Sequence, residues 1–584
     1  MRRKRKTKVL TEAEKRAKKE AQAKRRQELA FKKKIKSIFI DSGFTYIPTL
    51  NKHFKIGLRD VELDYVFIYE NVILICEDTC GAKKDKDHIR RKSEAFKEIT
   101  SDRSKFISWV KETCPEKANL FSKYNVDRYH IFYLYIPQAD INLTDDEKTL
   151  YGNIIFVDPS TLLYFHKISQ CIYRSARYEI FRYLKLKDED IGYTGSEGAK
   201  TTIKAPIIYP TDVTGVGNGI RVVSFMMSAE KLLKTCYVLR KDNWENSIYL
   251  YQRLIEKEKV RGIRNFLVKK GEAFYNNIIV ALPDNVTFEN DEKMPVSIDQ
   301  IAGFQHCKLI VPDEMNSICV IDGQHRIFSH YEGPETDKNE EKIAQLRKQL
   351  HLLVTGLIFP KDMNDAERKK IQSEIFLDIN DNTKKVAPNV LTHIEMIKDP
   401  FSDIGLARRV LEKMNGKRTF LNKFELSLTD ETKIKVSSII KFALRYLVSI
   451  TPAEGKPSMF AYWDGDKEAF LRKEEAALNS YIDFVSSKLD EYFRAVKDTN
   501  REAWESSDSK LLSVTAINGF IIAYNRQLQK NGIQDFAFYS DKFKKMNVDF
   551  SKESFIYASS QYRKFSNVIL QQAFEFTDEE IEKY

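Results

Sequence analysis

The stretch "VELDYVFIYENVILICEDT", Val61–Thr79, decides how the N-terminal part of the chain is read. Two runs rich in Val, Ile, Phe and Tyr flank Glu70-Asn71, so the stretch predicts an antiparallel hairpin. Turning there pairs Tyr69 with Val72, Phe67 with Leu74 and Asp64 with Glu77. Residues opposed on one face of such a ladder have Cβ atoms about 4.5–5.5 Å apart. Both faces are otherwise apolar, which places the hairpin at the centre of a sheet with its carboxylates where the strands leave the core. Two like charges there repel unless a cation lies between them. Thr79 shares the face of Glu77, and Glu62 is expected opposite Thr79. Oxygen ligands at a strand end suit Mg²⁺, which takes one or two carboxylates and keeps waters for substrate phosphates. The competing reading is a hairpin end neutralised by Arg59 or Lys83.

Working outward, residues 12–44 read as one long helix with a capping-box start at Thr11 and Glu14 and an end at Gly43. It is polar at first and becomes amphipathic near Leu29, Phe31, Ile35 and Phe39. After the hairpin come a helical stretch at 87–114, strands at 128–136 and 153–159, and a helix from about 160 to 185. The order is that of an α/β domain.

An acidic residue on one strand and Glu-x-x on its neighbour, set between helices, resembles the PD-(D/E)XK restriction-endonuclease fold. The resemblance implies Asp64 and Glu77 as metal ligands for Mg²⁺ and a phosphodiesterase chemistry. Thr79 stands where that pattern usually has Lys. Some members carry the lysine on the following helix, where Lys92 is the candidate, on one face with His88 at i,i+4. Lys83 and Lys84 are alternatives.

Charge is unevenly spread. Residues 1–36 hold 17 Lys or Arg against 4 Glu, which accounts for the whole net charge of +12. So one-sided a run predicts an arm that grips a polyanion, with Lys15, Arg16, Lys24, Arg25 and Arg26 as DNA-backbone contacts. The seven cysteines form no CxxC pair, which argues against a disulfide framework or a Cys/His zinc site. No apolar run approaches the roughly 18 residues of a membrane span, and no signal peptide is visible, so a cytoplasmic location is expected. There is no P-loop motif. "TGVGNG" at 214–219 reads as a loop.

In "SICVIDGQHRIFSHYEG", Ser317–Gly333, a buried strand ends in Asp-Gly and runs into a helical start. Gly323 permits positive φ, and free N–H groups at a helix start favour an anion. His325 and Arg326 add donors, and Asp322 can orient Arg326. The competing reading is a plain Asp-Gly turn. The string Asp322-Gly323-Gln324-His325-Arg326 resembles the signature of the DGQHR-domain family, which includes DndB-like proteins of bacterial DNA-modification and defence systems. Upstream "YQRLIEKEKVRGIRNFL" and downstream "IQSEIFLDINDNTKKV", through Gln372, Phe376, Ile379, Asn380, Lys384 and Val386, extend the likeness. It implies a ParB/sulfiredoxin-like fold and a site for ATP or another nucleotide, with Arg253 and Asn380 as further contacts.

The expectation is a multidomain α/β protein. A basic helix at 1–36 precedes a nuclease-like domain at 37–190. A DGQHR domain follows at 203–400, and an all-α region at 401–584. The expected function is a nucleotide-regulated, Mg²⁺-dependent DNA endonuclease, with DNA, a nucleotide and either further copies or a defence-system subunit as partners. The alternatives are a catalytically dead DNA-binding regulator and an ATP-using accessory subunit of a DNA-modification complex.

Overall fold

The computed structural model describes residues 12–57, 59–80, 85–141, 143–192, 200–204, 206–209, 214–240, 244, 250–297, 307–380, 388–426, 433–558 and 560–582. The chain is mixed α/β and divides into two compact units. One takes residues 1–141, 147–238 and 254–360; the other takes 142–146, 239–253 and 361–584. This division does not follow the boundaries expected near 190 and 400. The strands before residue 360 that form the larger sheets fall in one unit, and the helices after 360 fall with the C-terminal ones. Among the described residues, no helix is long and apolar enough to cross a membrane.

Helix α1 (Glu12–Asp41) is exposed along residues 21–27 and docks from Phe31, Ile35, Ile38 and Phe39 onward, the spacing of one buried stripe. Gly43, at φ +91°, ends it by turning the chain in a conformation glycine adopts without strain. Strands β1 (Thr45–Ile47), β4 (Tyr65–Tyr69), β5 (Val72–Thr79), β6 (His130–Pro137) and β7 (Ile155–Phe156) form a five-stranded sheet in the order β1-β4-β5-β6-β7. The central hairpin has the expected register: Tyr69 faces Val72, Phe67 faces Leu74 and Tyr65 faces Cys76. Buried Asn71 at its turn bonds the carbonyls of Arg128 and Asp190 and the amide of Gly192.

Two local expectations fail. Glu62 does not oppose Thr79, because it belongs to a separate hairpin of β2 (His53–Ile56) and β3 (Arg59–Glu62), where it faces His53. The chain bends between β3 and β4, so the ladder stops at Tyr65. The helix expected from 160 to 185 is broken at Tyr173, at φ +42°, into α4 (Pro159–Ile172) and α5 (Arg177–Tyr183).

Helix α1 covers one face of the sheet, with Phe39 against Phe67 at 4.9 Å. Helices α2 (Asp85–Ser101) and α3 (Arg103–Thr113) follow β5, and Phe96 of α2 stacks on Tyr133 of β6 at 4.4 Å on the other face.

The same unit holds two more sheets. The larger has the order β11-β16-β12-β17-β10-β9, built from β9 (Ile207–Tyr209), β10 (Arg221–Ser228), β11 (Cys236–Tyr237), β12 (Ile278–Ala281), β16 (Ile318–Asp322) and β17 (His351–Ile358). The smaller joins β8 (Lys200–Ile203), β13 (Thr287–Glu289), β14 (Pro295–Val296) and β15 (Lys308–Pro312). Helices α6 (Ala229–Thr235), α7 (Lys257–Lys270), α8 (Gln324–Phe328) and α9 (Glu340–Gln349) accompany them.

The second unit is largely helical, around one extended apolar core that runs from Leu406 to Phe576. One of its helices passes through a π-helical segment at Ile440–Leu444.

Candidate active site

The open end of the hairpin gathers charge on both faces of the sheet. Because β5 alternates, Glu77 points to the α2 face and Asp78 to the α1 face. Glu77 is fully buried. Lys92, on α2, brings Nζ to 2.6 Å from Glu77 Oε2 and donates to the Glu62 carbonyl at 2.7 Å. Its approach to Glu77 is off the hydrogen-bonding direction, so both Glu77 oxygens are buried without a well-formed hydrogen bond. Burial drives the Glu77 pKa well above the usual carboxylate range; Lys92 opposes this and the neighbouring Asp64 carboxylate adds to it. Asp64 Oδ2 accepts the Asp78 amide at 3.0 Å. His88, one turn before Lys92, sets Nδ1 3.1 Å from the Tyr135 hydroxyl, and burial together with Lys92 lowers its pKa.

On the opposite face, Asp78 accepts a hydrogen bond from Tyr65 at 2.5 Å and lies 3.6 Å from Lys32 of α1. Burial raises the Asp78 pKa. Lys36, one turn on, sits over the Tyr46 ring at 4.3 Å. The basic helix is thus anchored to the strand that carries Glu77. Sequence reasoning missed Asp78, Tyr65 and Lys32. The signal was there: consecutive acids on one strand must face opposite ways, and Lys32 and Lys36 share a helix face.

Of the expected site residues, Asp64, Glu77 and Lys92 come together. Thr79 pairs with Pro137 of β6. Arg59 pairs with Glu94 at 2.6 Å, so the neutralising cation is Lys92. Lys83 and Lys84 lie outside the described residues, as do the side chains of Lys15 and Arg16. Lys24, Arg25 and Arg26 are exposed on α1. Among the described residues, no three His, Cys, Asp or Glu side chains are grouped to hold a metal. Mg²⁺ needs only one or two carboxylates, and two buried Glu77 oxygens lacking good donors beside Asp64 fit that requirement.

The Asp322–Arg326 turn is a built structure of another kind. Gly323 adopts φ +100°, and a Cβ there would lie 3.0 Å from both Arg326 Nη2 and Ile278 Cγ1. Arg326 curls over it to pair with Asp322 at 2.6 Å. His325 Nε2 accepts the Glu256 amide at 3.1 Å, at the start of α7. Gln324 is buried. Helix α8 is a single five-residue turn, too short for the dipole expected of it. As arranged, the turn spends Arg326 and His325 on the protein itself, so Arg326 is released to an anion only when its pair with Asp322 opens. Arg253, Gln372, Phe376 and Asn380 belong to the second unit, and the turn belongs to the first. The Asn380 side chain, Lys384 and Val386 lie outside the described residues.

The residues after the turn are held by a dense set of charged hydrogen bonds. Arg264 donates to the carbonyl of Tyr331, to Asp337 and to Glu340, and Arg347 donates to the carbonyls of His330 and Tyr331 and to Glu340.

No family model, no curated protein and no solved structure matches the chain.

Proposed function

We propose that the protein is a Mg²⁺-dependent DNA endonuclease of a bacterial DNA-modification or phage-defence system, controlled by a nucleotide. The carrying observation is Lys92 on α2 reaching buried Glu77 beside Asp64, which supplies the lysine that Thr79 leaves out. The strand pattern around the site, with β4 antiparallel and β6 parallel to β5, agrees with the resemblance to the PD-(D/E)XK fold.

In this reading Asp64 and Glu77 would hold Mg²⁺, which would supply polarisation of the scissile phosphate and a more acidic water. Lys92 leaves Glu77 to neutralise charge growing on the phosphate. The exposed cations of α1 hold the DNA backbone without reading its sequence. The nucleotide part of the proposal rests on the DGQHR resemblance, and it requires the Asp322–Arg326 pair to open.

A second reading has one observation in its favour. The Lys92–Glu77 pair also serves as a buried structural ion pair, and the protein is then a DNA-binding regulator or accessory subunit that does not cut. Cleavage of supercoiled plasmid with Mg²⁺, with and without ATP, separates the two. Activity in the parent chain that disappears in Asp64→Ala supports the nuclease. Tight DNA binding with no cutting of modified, unmodified or phage DNA supports the regulator.

A further inference from the structure

The helical second unit carries an exposed aromatic and basic face with no role in the reading above. Phe442 and Tyr446 are 48% and 50% exposed, on consecutive turns of one helix. Phe442 lies in the middle of the π-helical segment, and such segments recur at functional sites. Its ring stacks on Tyr562 of the helix Tyr562–Gln572, with centroids 5.6 Å apart and planes at 24°. Arg445 lies 4.5 Å from the Tyr446 ring and donates to its hydroxyl. Most rings of this unit are buried or partly buried, whereas Phe442 and Tyr446 each leave about half of their surface to solvent.

Charge points to the occupant. Lys441 flanks Phe442, and exposed Arg563 and Lys564 follow Tyr562. None of these three makes an ion pair among the described residues. Two cations in the first turn of Tyr562–Gln572, with no acidic residue there, oppose the helix dipole and raise the local positive potential. Asp403 lies within the field of Arg445. Flat rings beside unpaired cations match unpaired bases beside phosphates. We propose that this face binds single-stranded nucleic acid, with Phe442, Tyr446 and Tyr562 stacking bases and Lys441, Arg563 and Lys564 holding the backbone. An acidic peptide would meet the cations equally well but would leave the stacked rings unexplained.

The test uses the full chain and a fluorescently labelled oligothymidylate at one fixed moderate salt concentration, so that the N-terminal arm contributes equally to every variant. A strand of equal length with abasic sugars is the control. Phe442→Ala/Tyr562→Ala and Tyr446→Ala should each weaken binding to oligothymidylate by roughly tenfold to a hundredfold, as lost stacking implies. They should leave binding to the abasic strand unchanged. Lys441→Glu/Lys564→Glu should weaken both. Equal affinity of the parent for the two strands, or no change in the aromatic variants, overturns the proposal, even if the face then captures an acidic peptide. Circular dichroism on each variant confirms that these surface changes leave the fold intact. The outcome is independent of whether Asp64→Ala abolishes cutting.

Discussion

Arg177 holds Glu332 through one nitrogen, with Nη2 at 2.6 and 2.8 Å from the two carboxylate oxygens. The same guanidinium lies 5.3 Å from the Tyr69 ring beside the hairpin turn. Around it, the Arg174 amide donates to the Glu332 carbonyl and the Ser175 hydroxyl accepts the Glu332 amide. One side chain therefore touches both the hairpin that ends in Glu77 and the segment that leaves the Asp322–Arg326 turn.

Removing that side chain should be costly. Arg177 is almost fully buried and Glu332 is partly so. Breaking a buried pair costs about 3–5 kcal/mol, and the solvation left to Glu332 reduces this to roughly 2–3 kcal/mol for Arg177→Met. Urea denaturation measures it. Arg177→Met/Glu332→Leu should lose less than Arg177→Met alone, and a double-mutant cycle that shows no coupling would deny the link between the two sheets.

Lys92→Met should also destabilise the chain at neutral pH, by about 3 kcal/mol or somewhat less, because it strands a buried carboxylate. The raised Glu77 pKa softens the loss, since the acid can take up a proton instead. Glu77→Gln in the Lys92→Met background should restore most of the stability while leaving plasmid cutting abolished. Restored cutting would remove Glu77 from the site.

His330 makes stability depend on acid. Its Nδ1 faces the carbonyls of Arg326 and Ile327, and its Nε2 is buried without an acceptor. Burial, together with Arg347 and Arg264, lowers its pKa to about 4. The unfolded imidazole titrates near 6.5, so between those values the unfolded chain binds the extra proton. Stability should fall by up to roughly 3 kcal/mol as pH drops from about 6.5 to 4, and be fully present above that window. Comparing urea midpoints across this range, His330→Gln should flatten the dependence. An unchanged slope would place the acid sensitivity elsewhere.

Gly323→Ala should cost about 1–3 kcal/mol, because φ +100° strains any side chain and the new Cβ meets Arg326 and Ile278. If the variant retains its melting temperature, the turn has room to relax.

Deleting residues 1–30 removes the exposed part of α1 and stops short of Phe31, where burial begins. The dependence of log K on log salt for duplex DNA should become shallower. An identical slope would show that the arm does not contact DNA.

Features under short-range control were legible along the chain. A tight turn and alternating apolar residues set the hairpin register, and the i,i+4 spacing of His88 and Lys92 put both on the face of α2 that meets Glu77. The charge of the arm and the point where it begins to dock were equally local. Which distant groups became partners depended on long-range packing. It gave Lys92, in place of Arg59, to Glu77. It diverted Glu62 into a second hairpin, set Lys32 against Asp78, and spent Arg326 on Asp322. It also grouped the helices after residue 360 with the C-terminal ones. Each of these outcomes turns on which elements pack together, and a buried charge takes whichever partner that packing brings within reach; periodicity along the chain carries no record of it.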